Sequence, residues 1–270
     1  MTVLAFEALA GIALSMSILM GLAWLVQQRS GNSGWVDTIW TFSVGAVGAG
    51  AALWPVAGAF PNARQWLVAA LVLIWSLRLG AHIASRTAGL SDDPRYAAFA
   101  RDWGPDAPRK MFIFLQNQGL GSIPLAFAIF VAARFPDSAL RLRDALGALI
   151  LFTGIAGEAL ADAQLKRFRL DPANRGRVCD IGLWRWSRHP NYFFEWLGWL
   201  AYPVIAISPH YGWGWASLMA PVFMYWTLVH VTGIPPLEAQ MLRSRGQRYR
   251  AYQSRTPAFF PLPPHKGMVT

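Results

Sequence analysis

The sequence predicts an all-α integral membrane protein of seven transmembrane helices, with its N-terminus outside and its C-terminus cytoplasmic. Three observations predict this. Of 270 residues, 54% are hydrophobic and only 14% charged, with a mean hydropathy of +0.31, more apolar surface than a soluble core of this length would need. Seven stretches reach the roughly 20 apolar residues that a membrane span requires. Basic residues gather in alternate connections between those stretches, where the positive-inside rule places cytoplasmic loops.

The seven spans are 3–27, 34–57, 65–87, 111–133, 142–163, 190–209 and 213–233. With the N-terminus outside, the cytoplasmic segments 28–33, 88–110, 164–189 and 234–270 hold 19 basic residues, counting Arg86 at a span edge, against four on the other face. The net charge of +10 is therefore explained by topology and does not call for nucleic acid. The first apolar run has neither a basic n-region nor a small-residue cleavage site and reads as a retained helix. Arginine outnumbers lysine 21 to 3, a bias that hints at a GC-rich bacterial genome, hence the inner membrane. Cys179 is the one cysteine, so no intrachain disulfide forms. Arg177 beside it could lower its pKa, though a loop cysteine is more often a bystander.

The first span carries Glu7 near its outer end and otherwise reads as packing. In the second, Asp37 and Trp40 share a helical face near the cytoplasmic boundary. In the third, Trp75, Arg78 and His82 share another. An isolated guanidinium at membrane depth is costly, so Arg78 needs a partner or a wet cavity, and Asp37 is the natural candidate. The connector 88–110, with Asp92-Asp93-Pro94-Arg95-Tyr96, is a structured cytoplasmic loop. The fourth span opens with three consecutive amides, Gln116, Asn117 and Gln118, suited to bonds across helices or to a ligand.

The fifth span sets Glu158 and Asp162 four apart on one face, where like charges repel. No histidine accompanies them, so a metal pair is not expected; one carboxylate bonding a ribose or an amide is more economical. A basic, turn-forming loop then runs from Asn174 through Gly182 to Pro190 and feeds a sixth span with Asn191, Glu195 and Tyr202. Such a loop is suited to a polyphosphate, and to topology alone equally. The seventh span, with Tyr225 and His230, stops at Gly233-Ile234-Pro235-Pro236, and Glu238 follows. The tail interleaves Tyr249 and Tyr252 with arginines up to Arg255, which suits anionic lipid or an adenine phosphate.

These polar residues form one band near the cytoplasmic side, consistent with a cavity that takes a soluble anionic cofactor and a lipophilic small-molecule substrate from the bilayer. Hydride transfer from NADPH to an activated alkene fits. So does methyl transfer from S-adenosylmethionine to a lipid-linked thiol, while a small non-enzymatic transporter is a third reading. The arginines favour NADPH for its phosphates. No segment points to an obligatory protein partner.

The run from Asp171 to Glu195, together with Glu158-Ala-Leu-Ala-Asp162, Gln118-Gly119-Leu120, Gly233-Ile-Pro-Pro-Leu-Glu238 and Tyr249…Tyr252…Thr256…Phe260-Pro261, resembles bacterial relatives of steroid 5-alpha-reductase over nearly the whole chain. Arg188-His189-Pro190-Asn191-Tyr192 is also similar to a run in isoprenylcysteine carboxyl methyltransferases. The reductase resemblance implies a single membrane-embedded domain over 1–270, with the first four helices mainly on the substrate side and 142–270 mainly on the cofactor side. It implies NADPH contacts at Asp162, Arg169, Arg177 and Asn191, and further at Tyr192, Glu195, Glu238, Tyr249, Tyr252 and Arg255. Trp40, Trp75, Gln116, Gln118 and Glu158 are expected on the substrate side. Steroid reductases polarise the enone carbonyl with a glutamate on the second helix and a tyrosine on the third. The nearest counterparts here are Asp37 and Trp75, a shorter acid and an indole without a phenolic proton. The expected catalytic group is therefore Asp37, assisted by Arg78 or His82.

Overall fold

The computed structural model describes residues 1–55, 60–89 and 92–264. The side chain of Arg95, the residue Lys266, and Val56 and Ala57 at the end of the second expected span lie outside the described residues. The chain is helical, and no strand occurs among the described residues. In order the helices are α1 (Thr2–Ser30), α2 (Gly34–Leu53), α3 (Ala63–Thr87), α4 (Pro94–Trp103), α5 (Ala107–Gly121) and α6 (Ile123–Ala133). There follow α7 (Leu142–Leu170), α8 (Pro190–Trp199), α9 (Ala201–Ala206), α10 (Met219–Trp226), α11 (Ile234–Arg245) and α12 (Gln247–Arg255).

Among the described residues, six helical stretches are long and apolar enough to cross a membrane: Thr2–Ser30, Gly34–Leu53, Ala63–Thr87, Phe99–Ala133, Leu142–Leu170 and Gly212–Arg245. The expected span 190–209 folds differently from the others. It forms α8 and α9, of 10 and 6 residues, parted at Leu200, and neither reaches the length of a crossing by itself.

The chain divides into two compact units, Met1–Ala145 with Tyr202–Ala220, and Leu146–Ala201 with Pro221–Thr270. In the first unit small residues let helices approach closely, as membrane helices without a hydrophobic drive between them require. A Cβ on Gly45 would sit 2.2 Å from Ser76 Oγ on α3, and one on Gly119 of α5 would sit 2.8 Å from Met20 of α1. Asn62 starts α3 with a capping box, accepting from Gln65 N at 3.0 Å while its own N–H donates to Gln65 Oε1 at 3.1 Å. Ser122 separates α5 from α6, and Pro124 occupies the first turn of α6, where its missing N–H is harmless. Arg64 and Asp144 form a fully buried ion pair, Nε to Oδ1 at 2.7 Å and Nη2 to Oδ2 at 2.9 Å.

In the second unit, Gly154 and Gly157 of α7 receive α8. A Cβ on Gly154 would meet the Phe194 carbonyl at 2.7 Å, and one on Gly157 would meet the Phe194 ring at 2.3 Å. Phe193, Trp196, Tyr225, Phe259 and Phe260 pack edge to face, with Phe259 5.3 Å from Tyr225 and 5.8 Å from Trp196. This knot fastens the C-terminal segment onto α8 and α10. A π-helical turn, Thr227–Val231, precedes Gly233, and the helix stops there. The two prolines expected to end the helix instead occupy the first turn of α11, since proline is disfavoured inside a helix yet suited to its start.

Candidate functional site

The described polar groups gather in two clusters, one in each unit. The cluster of the second unit is built on the loop between α7 and α8. Asp171 caps a short turn by accepting from Ala173 N at 2.9 Å, and Asn174 Nδ2 donates to the Phe168 carbonyl at 3.1 Å. Gly176 turns the chain at φ +78°, and its carbonyl accepts from Arg248 Nη1 at 3.1 Å. Gly182 turns it again at φ +57°, pressed against Gln164 so closely that a Cβ would lie 2.5 Å from Oε1. That same Oε1 accepts from Leu183 N at 2.9 Å, and Trp184 Nε1 donates to the Ala161 carbonyl at 2.9 Å. The loop is thus docked on α7 and delivers Arg188 and His189 to the start of α8.

Arg188 is the hub. Its fork meets Glu238 twice, Nε to Oε1 at 2.6 Å and Nη2 to Oε2 at 3.2 Å, the bidentate geometry in which guanidinium and carboxylate bind best. Its Nη1 donates to the carbonyls of Gln253, at 3.2 Å, and Thr256, at 2.5 Å. Gln253 Nε2 donates to Glu238 Oε2 at 2.7 Å, and His189 Nε2 lies 3.1 Å from Glu238 Oε1. Tyr252 donates to the carbonyls of Trp184 and Ser187.

Burial pushes the His189 pKa below the ordinary imidazole value, against the opposing pull of Glu238. The imidazole is therefore neutral at pH 7, with its Nε2 proton directed to the carboxylate. Burial likewise raises the phenols of Tyr249 and Tyr252. These contacts join three segments distant in sequence: loop 184–189, α11 and α12.

Among the residues expected at the cofactor, Asp162 and Asn191 come together, Asn191 Nδ2 donating to Asp162 Oδ1 at 3.3 Å. Tyr192 stacks on His189, with ring centroids 5.5 Å apart and planes 10° apart. Glu195 is buried and accepts from Trp199 Nε1 at 2.9 Å. Glu238 and Tyr252 belong to the Arg188 network, and Tyr249 is buried beside Tyr252, with ring centroids 5.9 Å apart. Arg255 pairs with Asp180. Arg169, at the end of α7, and Arg177, in the loop, are exposed. Glu158, expected on the substrate side, is buried in the second unit. Burial raises the Cys179 thiol pKa, opposed by a backbone hydrogen bond at Ile181 and by the Arg169 guanidinium, the direction of an unreactive thiol.

The cluster of the first unit centres on Asp37. The Tyr96 hydroxyl, on α4, donates to Asp37 Oδ1 at 2.9 Å, and Tyr96 is buried at 5% exposure. Trp40 Nε1 donates to Ser122 Oγ at 2.7 Å, and Ser122 Oγ to the Gln118 carbonyl at 2.8 Å. Gln116 takes the helix-bridging role of the two expected for it: Oε1 accepts from Ser17 Oγ at 2.6 Å and Nε2 donates to the Ser17 carbonyl at 3.1 Å. Gln118 Oε1 is buried without a partner among the described residues, an acceptor of the kind a ligand donor satisfies. Trp75 is buried on α3, with Arg78 and His82 half-buried one and two turns further along.

Tyr96, Arg188, His189 and Gln253 received no role from the sequence. Arg188 and His189 stood in a basic run before a proline, which marked the place. Their partner Glu238 is 50 positions from Arg188, and no spacing rule reaches that far.

No group of three or more His, Cys, Asp or Glu arranged to hold a metal ion occurs among the described residues. No solved structure matches the chain. Over 98 residues the chain is 36% identical to an uncharacterised protein of Schizosaccharomyces pombe; the match covers 35% of this chain and 27% of that protein. Residues 23–256 match the family described as "Protein of unknown function (DUF1295)". That match covers most of the chain, and the chain belongs to this family.

Proposed function

We propose that the protein is an NADPH-dependent membrane reductase that saturates a carbon–carbon double bond conjugated to a carbonyl in a lipophilic, steroid-like or isoprenoid substrate. The proposal keeps 190–209 as a seventh crossing, with the N-terminus outside, the basic loops cytoplasmic, and the bacterial inner membrane as location. One observation carries the reading: the bond from the buried Tyr96 hydroxyl to Asp37. Steroid reductases need a phenol and a carboxylate at the substrate carbonyl. Trp75 cannot supply the phenol, and Tyr96 brings one to the carboxylate from a different helix.

The donor set of the second unit fits the cofactor. The guanidinium forks of Arg169 and Arg177 match phosphate oxygens, and the amide and carboxylate of Asn191 and Asp162 match ribose hydroxyls. When bound, NADPH supplies the hydride that adds to the β-carbon of the enone. As substrate enters, the single Tyr96 hydroxyl proton turns from Asp37 to the carbonyl oxygen and stabilises the enolate charge that builds there. Asp37 orients the phenol, and Arg78 or His82 supports the carboxylate. A proton from water then completes the α-carbon, so one hydride from the cofactor and one proton from solvent saturate the double bond.

The test is binding of NADPH, NADH and S-adenosylmethionine side by side by the detergent-purified protein, followed by an enone screen with NADPH consumption as readout. NADPH-selective binding with turnover supports the reading. Selective binding of S-adenosylmethionine overturns it in favour of a methyltransferase, and binding of neither returns the transporter.

A further inference from the structure

The second unit also carries a cleft of about 430 Å³ lined by Asp180, Ile181, Arg185, Arg255, Thr256 and Pro264. Of its walls only Arg255 was expected at the cofactor, from the reductase resemblance, and Arg185 had no role of its own there. Its size falls within the roughly 300 to 1,000 Å³ typical of small-molecule sites. Two guanidinium groups line it, and their situations differ. Arg255 is paired with Asp180, and both side chains are nearly half exposed. Arg185 is exposed and makes no ion pair among the described residues.

An exposed pair of this kind contributes little, so an incoming anion exchanges for Asp180 at small cost. Arg185 can add its fork without breaking anything. Two forks suit the oxygens of one phosphate group. Of the remaining walls Ile181 and Pro264 are apolar and Thr256 is polar, and the volume exceeds that of a bare phosphate. A phosphate carried on a larger organic body is the chemistry that fills it.

We propose that this cleft is a phosphate-ester site, with Arg185 and Arg255 as its ligands and Asp180 as an internal carboxylate that competes with the bound anion. Two sources carry this chemistry, the 2′-phosphate of NADPH and the headgroup phosphate of an anionic lipid. The site does not depend on the reductase reading, because the lipid source stands without it.

The experiment uses the full chain and two variants of opposite expected effect. Arg185→Gln removes an unpaired guanidinium, so the fold is not at risk. It is expected to weaken binding about tenfold, the usual loss for one charge-assisted bond. Asp180→Asn removes the competitor and is expected to tighten binding of the same ligand by a few-fold. A defect of folding would not move the two in opposite directions.

One arm titrates NADPH and NADH by tryptophan fluorescence in a neutral detergent. The other measures, by native mass spectrometry, retention of phosphatidylglycerol against phosphatidylcholine. Opposite shifts in NADPH affinity with NADH unmoved assign the cofactor phosphate, and opposite shifts in phosphatidylglycerol retention assign the lipid. If wild type binds no NADPH, the reductase reading fails alone and the lipid arm decides this site. Unchanged NADPH affinity and unchanged lipid retention in Arg185→Gln overturn the site.

Discussion

The Tyr96 hydroxyl donates to Asp37 Oδ1 across 2.9 Å, tying α4 to the first turn of α2. On the proposed mechanism Tyr96→Phe lowers the rate of enone reduction by about 10²-fold, the low end for a lost hydrogen-bond donor to a developing oxyanion. The NADPH dissociation constant stays unchanged, because Tyr96 is on the substrate side. Asp37→Asn keeps a bonding partner for the phenol and should lose less. Steady-state kinetics paired with a binding titration checks this, and a Tyr96→Phe enzyme of wild-type rate would remove the residue from the mechanism.

Arg188 closes the second unit through one side chain that serves Glu238 and two backbone carbonyls. Arg188→Ala leaves a partly buried carboxylate without its cation, and a loss of about 2–3 kcal/mol is expected, discounted from the fully buried case. Arg188→Lys rescues only part of it, since an ammonium cannot span the carboxylate and both carbonyls at once. Thermal unfolding in detergent measures both variants, and equal midpoints for Lys and wild type would contradict the bidentate role.

His189 makes stability depend on pH in a stated direction. Its folded pKa is lowered by burial, so below the ordinary imidazole value of about 6.5 the unfolded chain takes up a proton that the folded chain refuses. Its contribution is fully present above that value and is lost as pH falls through it towards the folded pKa. Unfolding midpoints recorded from pH 7.5 down to pH 5 should decline. His189→Gln, which keeps an amide donor for Glu238, should flatten that decline, and an unaltered slope would show that another group is responsible.

Cys179 is buried and its thiol is held above the ordinary range, so little thiolate forms at neutral pH. Maleimide labelling of the native protein at pH 7 is expected to be at least tenfold slower than after denaturation. Equal rates would mean that the loop opens readily.

Arg64 and Asp144 are both almost wholly inaccessible, and removing one partner leaves a buried charge unpaired. Asp144→Ala is expected to destabilise by about 3–5 kcal/mol, enough to reduce yield as well as melting temperature. Replacing Arg64 by Met in the same chain should recover part of the loss, which a comparison of unfolding midpoints reads directly.

The helical class and most of the crossing helices were legible in the sequence, because a run of about 20 apolar residues has one stable state in a bilayer. The turns of the loop 174–190 were legible for a related reason: Gly176, Gly182 and Pro190 have local backbone roles that need no distant partner. The break at Leu200 was not, because α8 and α9 form one continuous apolar run in sequence. The shift of Pro235 and Pro236 from the end of one helix to the start of the next turned on Gly233, whose close approach to Leu228 leaves no room for a side chain.

By itself the sequence determined the composition of each helix, the sign of each loop, and which polar residues would have to be housed in apolar surroundings. Only the tertiary structure decided who partners whom: Tyr96 with Asp37, Arg188 with Glu238, Gln116 with Ser17. Apolar runs and charge bias are properties of neighbouring residues and survive in any fold. A hydrogen bond between residues 50 or 99 positions apart depends on angstrom-scale placement of separate helices, which emerges only once their small-residue faces have packed.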